Sequence, residues 1–210
     1  MAEIEPDSQA TQALLEQAVA GDPQACERLL RRHRPQLVEF VDAHLDPVLR
    51  ARLDASDVVQ EAQIEAARRL PDFLSRRPMP FRVWLRKTAY EHLLMLRRQH
   101  VQAARRSVRR EVQLPDRSSL VLAQNLVDSG AAPNLRMDQE ERARRMQEAL
   151  GRLAEADREV LLMRHYEELS YEEIGSILDI EPATARKRAG RALVRLHKIL
   201  DEMNEKDEAP

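Results

Sequence analysis

One stretch constrains this chain more than any other: Leu169 to Leu200, LSYEEIGSILDIEPATARKRAGRALVRLHKIL. Ser170 followed by Glu173 reads as a capping box, in which the serine oxygen accepts from the backbone N–H three residues on and the glutamate reaches back. The short helix this opens carries Ile174, Ile177 and Leu178 on one face. Asp179 then supplies a turn residue that tolerates left-handed geometry, though less easily than Gly. Pro182 suits the first position of a second helix, where its missing N–H would be unpaired in any case. Ala185, Ala189, Ala192, Leu193, Leu196 and Ile199 give that second helix an apolar stripe. Between Pro182 and Lys198 stand six bases, Arg186, Lys187, Arg188, Arg191, Arg195 and Lys198, and no acid. Basic helix faces are commonly solvated surface or i, i+4 partners for acids, but this segment has no acid to pair with. A short helix, a tight turn and a longer basic helix predict a helix-turn-helix that reads DNA.

The rest of the chain is built for helices too. Gly is scarce at 5 residues in 210 and aromatics make up only 3 %, while Leu, Ala, Glu and Arg dominate. A formal net charge of −2 averages strongly opposed segments. Residues 1–27 hold six acids and no base, whereas residues 76–110 hold eleven bases and one acid, Glu91. That asymmetry predicts a polyanionic partner for the middle and last parts. Cys26 is the only cysteine, which excludes an intrachain disulfide and a cysteine metal cluster. The six histidines form no HExxH-type pair. With no basic leader before an apolar stretch and no run long enough to span a bilayer, a soluble cytoplasmic protein is expected, with no membrane, metal or cofactor.

Helical periodicity runs through residues 10–45, broken by Gly21-Asp22-Pro23, where Asp22 is the expected N-cap and Pro23 lies in the first turn. Asp54-Ala-Ser-Asp57 opens another helix, Val58 to Leu70, with acids where the helix dipole favours them. Asp57, Glu61 and Glu65 share one face of it; three carboxylates at this spacing are more often a solvated or docking face than a metal site. Residues 71–80, PDFLSRRPMP, read as a Pro-rich bend. Phe81, Trp84, Leu85, Thr88 and Leu96 then recur at helical spacing among Arg82, Arg86, Lys87, Arg97 and Arg98. Trp84 and Tyr90 are of the kind that stacks bases of a single strand, but Trp84, between Phe81 and Leu85, fits a core better. From Glu111 to about Asn134 periodicity fades, then resumes over Met137–Leu153, and Asp157 is expected to cap a helix over Val160–Tyr166. The expected architecture is all-α: a helical domain 1–110, a flexible linker 111–136, and a helix-turn-helix domain 137–210.

In their order, DVVQEAQIEA (57–66), FRVWLRKTAY (81–90) and LAEADREVLLMRHYEELSYEEIGSIL (153–178) resemble the extracytoplasmic-function (ECF) group of bacterial sigma factors, promoter-recognition subunits of RNA polymerase. The resemblance covers most of residues 10–110 and 138–200. It implies a first domain that docks on core RNA polymerase and melts promoter DNA, and a last domain that reads the upstream element. Position by position, it places Asp57, Val58, Gln60 and Glu61 against the polymerase clamp. Arg82, Trp84, Arg86, Lys87, Tyr90, Arg97 and Arg98 fall in the melting and downstream-element region, and Thr184, Arg186, Lys187, Arg188 and Arg191 on the upstream recognition helix. Members of the group are often held by an anti-sigma factor. Five departures bear on which bases are read. Glu91 stands where Asn is usual, and a carboxylate cannot donate to a base acceptor. Ala185 and Ala189 replace larger aliphatics, Glu181 replaces a better N-cap, and Lys187 stands where Ser is frequent.

Such a role needs no bond chemistry from this chain: basic residues displace counterions along phosphates, and side chains early in the recognition helix read base edges. One rival is a regulator that uses the same helix-turn-helix without engaging polymerase; it explains neither the acidic 57–66 helix nor the second basic block. An enzymatic rival, a hydrolase on Asp57, Glu61 and Glu65, lacks a phosphate loop, a nucleophile–base pair and a second metal cluster.

Overall fold

The computed structural model describes residues 4–45, 47–104 and 139–207, and among these there is no strand. The helices gather into two units. The first contains α1 (Gln9–Val19), α2 (Pro23–His44), the single turn α3 (Pro47–Arg50), α4 (Ala55–Arg76) and α5 (Phe81–Ala104). The second contains α6 (Gln139–Arg152), α7 (Glu155–Leu161), which runs into a π-helical turn at Leu162–Tyr166, α8 (Tyr171–Leu178) and α9 (Pro182–Asp207). The expected linker at 111–136 lies outside the described residues.

Local chemistry starts the helices of the first unit where the sequence places it. The Asp22 carboxylate accepts from Gln24 N (2.9 Å) and that of Asp54 from Ser56 N (2.6 Å), each satisfying a first-turn N–H. Gly21 supplies a positive φ of 87° at the break before α2. Helices α2, α4 and α5 then pack pairwise, with α1 against α2. Leu29, Phe40, Val59, Ala62, Phe81 and Leu93 are fully buried between them. Small residues at Ala62, Ala66 and Ala89 bring the helix axes close, and aromatic rings fill one end: Phe73 lies 4.6 Å from Trp84 and 5.6 Å from Phe81, centroid to centroid.

Helix α5 is capped from far away. Asp7 accepts from Phe81 N (2.7 Å) through Oδ2 and from Arg82 N (3.3 Å) through Oδ1. The Arg82 guanidinium in turn donates to the Glu5 carbonyl (3.1 Å). The acidic segment that opens the chain thereby supplies the N-cap of a helix 74 residues on.

Two expectations need correction. The bend predicted at 71–80 begins later: α4 continues through Pro71 to Arg76 and closes on Arg77, whose left-handed φ is 39°. Leu70 and Phe73 are buried on either side of Pro71 and tie this stretch of the helix to the core. Pro71 and Ala67, whose carbonyl is left without its i+4 donor, both lie on the exposed side of the helix, where that carbonyl is open to solvent. Nor does Asp157 cap a helix. Helix α7 begins after Ala154, and Asp157, inside its first turn, forms an ion pair with Arg195 on α9.

In the second unit α9 packs on α6 and α7. Met146, Leu150, Leu161, Ala192, Leu196 and Leu200 form the centre of its core, with Leu193 and Ile199 packed against it. The capping box at the head of α8 is complete: Glu173 N donates to Ser170 Oγ (3.2 Å) and Ser170 N to Glu173 Oε2 (2.8 Å). Asp179 closes α8 in the left-handed region, φ 57°, and α9 starts at Pro182. The turn between them passes so close to α8 that a Cβ on Gly175 would stand 2.6 Å from the Ile180 carbonyl oxygen.

Candidate nucleic-acid interface

The apolar stripe of α9 decides which way its cations point. Ala185, Ala189, Ala192 and Leu196 are all buried. Helical geometry therefore turns Thr184, Arg186, Lys187 and Arg191 outward, and all four are exposed, with Arg188 half-buried at the margin. The first turn is tied only through backbone, Thr184 N and Ala185 N donating to the Glu181 carbonyl (2.8 and 3.1 Å). Arg195, further along, is turned back to Asp157 on α7, whose side chain is only 9 % exposed, and so anchors the helix to its unit.

Two residues that periodicity did not single out belong to this surface. The guanidiniums of Arg164, in the π-helical turn, and of Arg186 both lie over the ring of Tyr171, at 5.2 and 5.3 Å from its centroid. The sequence signal was slight: one aromatic directly after the capping serine.

The candidate residues on α5 are arranged differently. Trp84 and Arg86 are half-buried, Trp84 against Phe73 and Phe81, and Arg86 over the Phe40 ring at 6.0 Å. Lys87 is half-buried and Arg98 exposed. Tyr90 is 7 % exposed, edge-on to His44, and Arg97 is 8 % exposed, donating to the His44 carbonyl. Both stand beneath the surface on which sequence reasoning put them.

On α4, Asp57, Gln60 and Glu61 share an exposed face, while Val58, 2 % exposed, points into the core. Beside this face a cleft of about 720 Å³ runs between α4 and α5. Glu61 meets His92 across it (3.0 Å), and Arg69 bridges Glu65 (2.7 Å) and Glu91 (2.8 Å). The hydrogen bond to Arg69 holds Glu65 below the usual carboxylate range, and Glu91 and Glu65 together raise Arg69. Glu65 of the acidic trio is thus ion-paired to Arg69 and Glu61 is hydrogen-bonded to His92; among the described residues no group of three or more His, Cys, Asp or Glu side chains is placed to hold a metal ion. Among the described residues no helix is long and apolar enough to cross a membrane.

Comparison with known proteins gives these surfaces a context. The family model described as sigma-70 region 2 matches residues 29–110, and that described as sigma-70 region 4 matches residues 143–196. The ECF RNA polymerase sigma factor SigD of Mycobacterium tuberculosis is 30 % identical over 184 residues, 88 % of this chain and 81 % of that protein. RNA polymerase sigma factor CnrH of Cupriavidus metallidurans is 27 % identical, over 94 % of this chain and 97 % of its own length. The solved structure of CnrH in complex with the cytosolic domain of CnrY superposes with a TM-score of 0.59 at 25 % identity, covering 92 % of this chain and 99 % of that one. The fold is thus that of a two-domain sigma-70-type factor. The chain belongs to the ECF RNA polymerase sigma factors. As a sigma factor it binds core RNA polymerase and directs recognition of promoter DNA; a regulator acting without polymerase is not favoured, because the region 2 match covers the whole block such a regulator would not need.

Proposed function

We propose a division of labour among named residues. In the second unit, Thr184, Arg186, Lys187, Arg188 and Arg191 contact the upstream promoter element in the major groove, Arg186 and Lys187 at base edges. The observation that carries this is the outward row on α9, set opposite a fully buried alanine stripe. In the first unit, Asp57, Gln60 and Glu61 dock on polymerase, and Val58 supports them from the core. Arg82, Trp84, Arg86, Lys87 and Arg98 line the path of the separated strand, while Tyr90 and Arg97 hold that path's backing in place. Positive charge and aromatic faces there offset the cost of unstacking bases. Domain limits of 1–110 and 137–210 with a tether at 111–136 fit this reading. The protein works in the cytoplasm, and, sigma factors being non-enzymatic, polymerase supplies the chemistry.

An anti-sigma partner is part of the proposal. It is supported by the likeness to the fold of RpoE of Bartonella quintana, a sigma factor solved in complex with the anti-sigma factor NepR, at a TM-score of 0.59 and 18 % identity.

Charge reversal tests the docking assignment. The Asp57→Lys/Glu61→Lys variant is expected to lose core polymerase in a pull-down by at least roughly tenfold, the scale of one desolvated charge contact. Its binding to upstream-element DNA should stay unchanged. Undiminished capture of polymerase removes the assignment.

A further inference from the structure

Resting on the reading of Arg186 as a base contact, we infer that Tyr171 is its positioning residue. The ring of Tyr171 holds the Arg186 guanidinium ready at the head of the recognition helix. Tyr171 opens α8 and Arg186 lies in the second turn of α9, so the contact joins the two helices of the motif across their turn. Its geometry is that of a cation over a ring face, 5.3 Å from the centroid. The ring is itself fixed. Ser170, just before it, is locked in the capping box, and Tyr171 is half-buried. Arg164 lies over the same ring at 5.2 Å, and its Nη1 donates to the Leu169 carbonyl at 3.0 Å, two residues before Tyr171. Two cations from separate elements thus converge on one half-buried aromatic beside a surface that meets a polyanion.

An arginine on an exposed helix face samples many rotamers and loses that freedom when it pairs with a base. One already stacked on a ring loses less, and its planar fork is presented in a narrower range of directions. Among the described residues no ring lies beneath neighbouring Lys187 or Arg191, so the effect should be confined to the base that Arg186 reads. The phenol hydroxyl plays no part in this account; the ring face does.

The test uses the full chain assembled with core polymerase, and promoter duplexes that the wild-type assembly selects from a pool randomised upstream. Tyr171→Ala should weaken binding to the selected element roughly three- to fivefold, the range of an exposed cation–π contact. It should also relax preference at the same position as Arg186→Ala. Tyr171→Phe, which keeps the ring, should bind and discriminate like the wild type. Tyr171→Leu keeps apolar bulk at the head of α8 without a ring face, and should behave as Tyr171→Ala even where it melts like the wild type. In an Arg186→Ala background, Tyr171→Ala should bring no further loss. Equal losses for Tyr171→Phe and Tyr171→Ala, or full additivity with Arg186→Ala, overturn the inference and leave Arg186 as a base contact. If Arg186→Ala alone lowers all sequences alike, the base-contact reading falls first and the positioning role for discrimination falls with it.

Discussion

Helices α5 and α9 are both rich in arginine, but they hold it in opposite ways. In α5 the cations turn back into their own unit: Arg82 to the Glu5 carbonyl, Arg86 over Phe40, Arg97 to the carbonyl of buried His44. In α9, Lys187 and Arg191 face solvent, Arg186 stays exposed while lying over Tyr171, and Arg195 is drawn back to Asp157 on α7. The cause lies in what surrounds each helix. α5 is packed against both α2 and α4, so buried positions occur around much of its circumference, including Phe81, Val83, Leu85 and Tyr90. α9 buries a narrower stripe of alanine and leucine and leaves the opposite face free. Charge count alone therefore says little about binding; the width of the apolar surface next to it says more.

The comparison can be broken most sharply at Arg97. Arg97→Ala removes a buried charged donor from the His44 carbonyl, and the first unit should lose about 2–3 kcal/mol. Arg191→Ala, at an exposed site, should change the stability of the second unit by no more than about 0.5 kcal/mol. Trp84 is the only tryptophan and sits in the first unit, so its fluorescence in a urea titration reports the former directly. Circular dichroism of the same titration reports the latter. Equal shifts would erase the inward–outward distinction.

A smaller effect is expected at Asp7. Asp7→Ala leaves the Phe81 and Arg82 N–H groups without their carboxylate and should cost about 1 kcal/mol, the usual value of an N-cap. Glu5→Ala, touching Arg82 from an exposed position, should be close to neutral. If Asp7→Ala is neutral too, the remote cap contributes nothing to α5.

The smallest effect is with pH. Burial pushes His33 below its ordinary value of 6.5; Asp7 opposes the push, and Arg32, Arg86 and Arg82 add to it. His33 also shares a hydrogen bond with Thr11 Oγ1 (3.0 Å) and lies edge-on to Phe81. The unfolded chain then takes up this proton at a higher pH than the folded one. Stability from this group is intact above pH 6.5 and declines as the pH falls below it toward the folded value. The slope of first-unit stability against pH should flatten in His33→Gln. A slope that is unchanged assigns the dependence to other groups.

These contrasts also separate what the sequence discloses from what it conceals. Asp22-Pro23, Asp54, the Ser170–Glu173 box and Asp179 are legible because each acts on backbone within a few residues of itself. The outward row on α9 is legible for a related reason: a stripe of period 3.6 fixes the opposite face. The course of α4 through Pro71 is not, because packing of Leu70 and Phe73 overrides a local breaker. Asp7 capping Phe81, Arg97 reaching His44 and Asp157 meeting Arg195 join residues 74, 53 and 38 apart, and no local pattern marks such pairs. For the candidate interface the consequence is uneven. The residues of α9 stand where periodicity puts them, whereas Val58, Tyr90 and Arg97 belong to the core behind theirs.

The central claim is that α9 reads sequence and does not merely attract phosphate. Its most direct test is the binding of alanine variants at Arg186, Lys187, Arg191 and Lys198 to matched and mismatched upstream elements across a salt series. A base-reading residue should cost roughly 1–3 kcal/mol on the matched element and relax preference at one position. Arg186 or Lys187, in the first turns, should behave so. Lys198, whose amine lies 3.9 Å from the Glu202 carboxylate far down the helix, should weaken every sequence alike with a salt slope lower by about one unit, or have no effect. Uniform losses for all four variants, with base preference untouched, would contradict the account and reduce α9 to an electrostatic anchor.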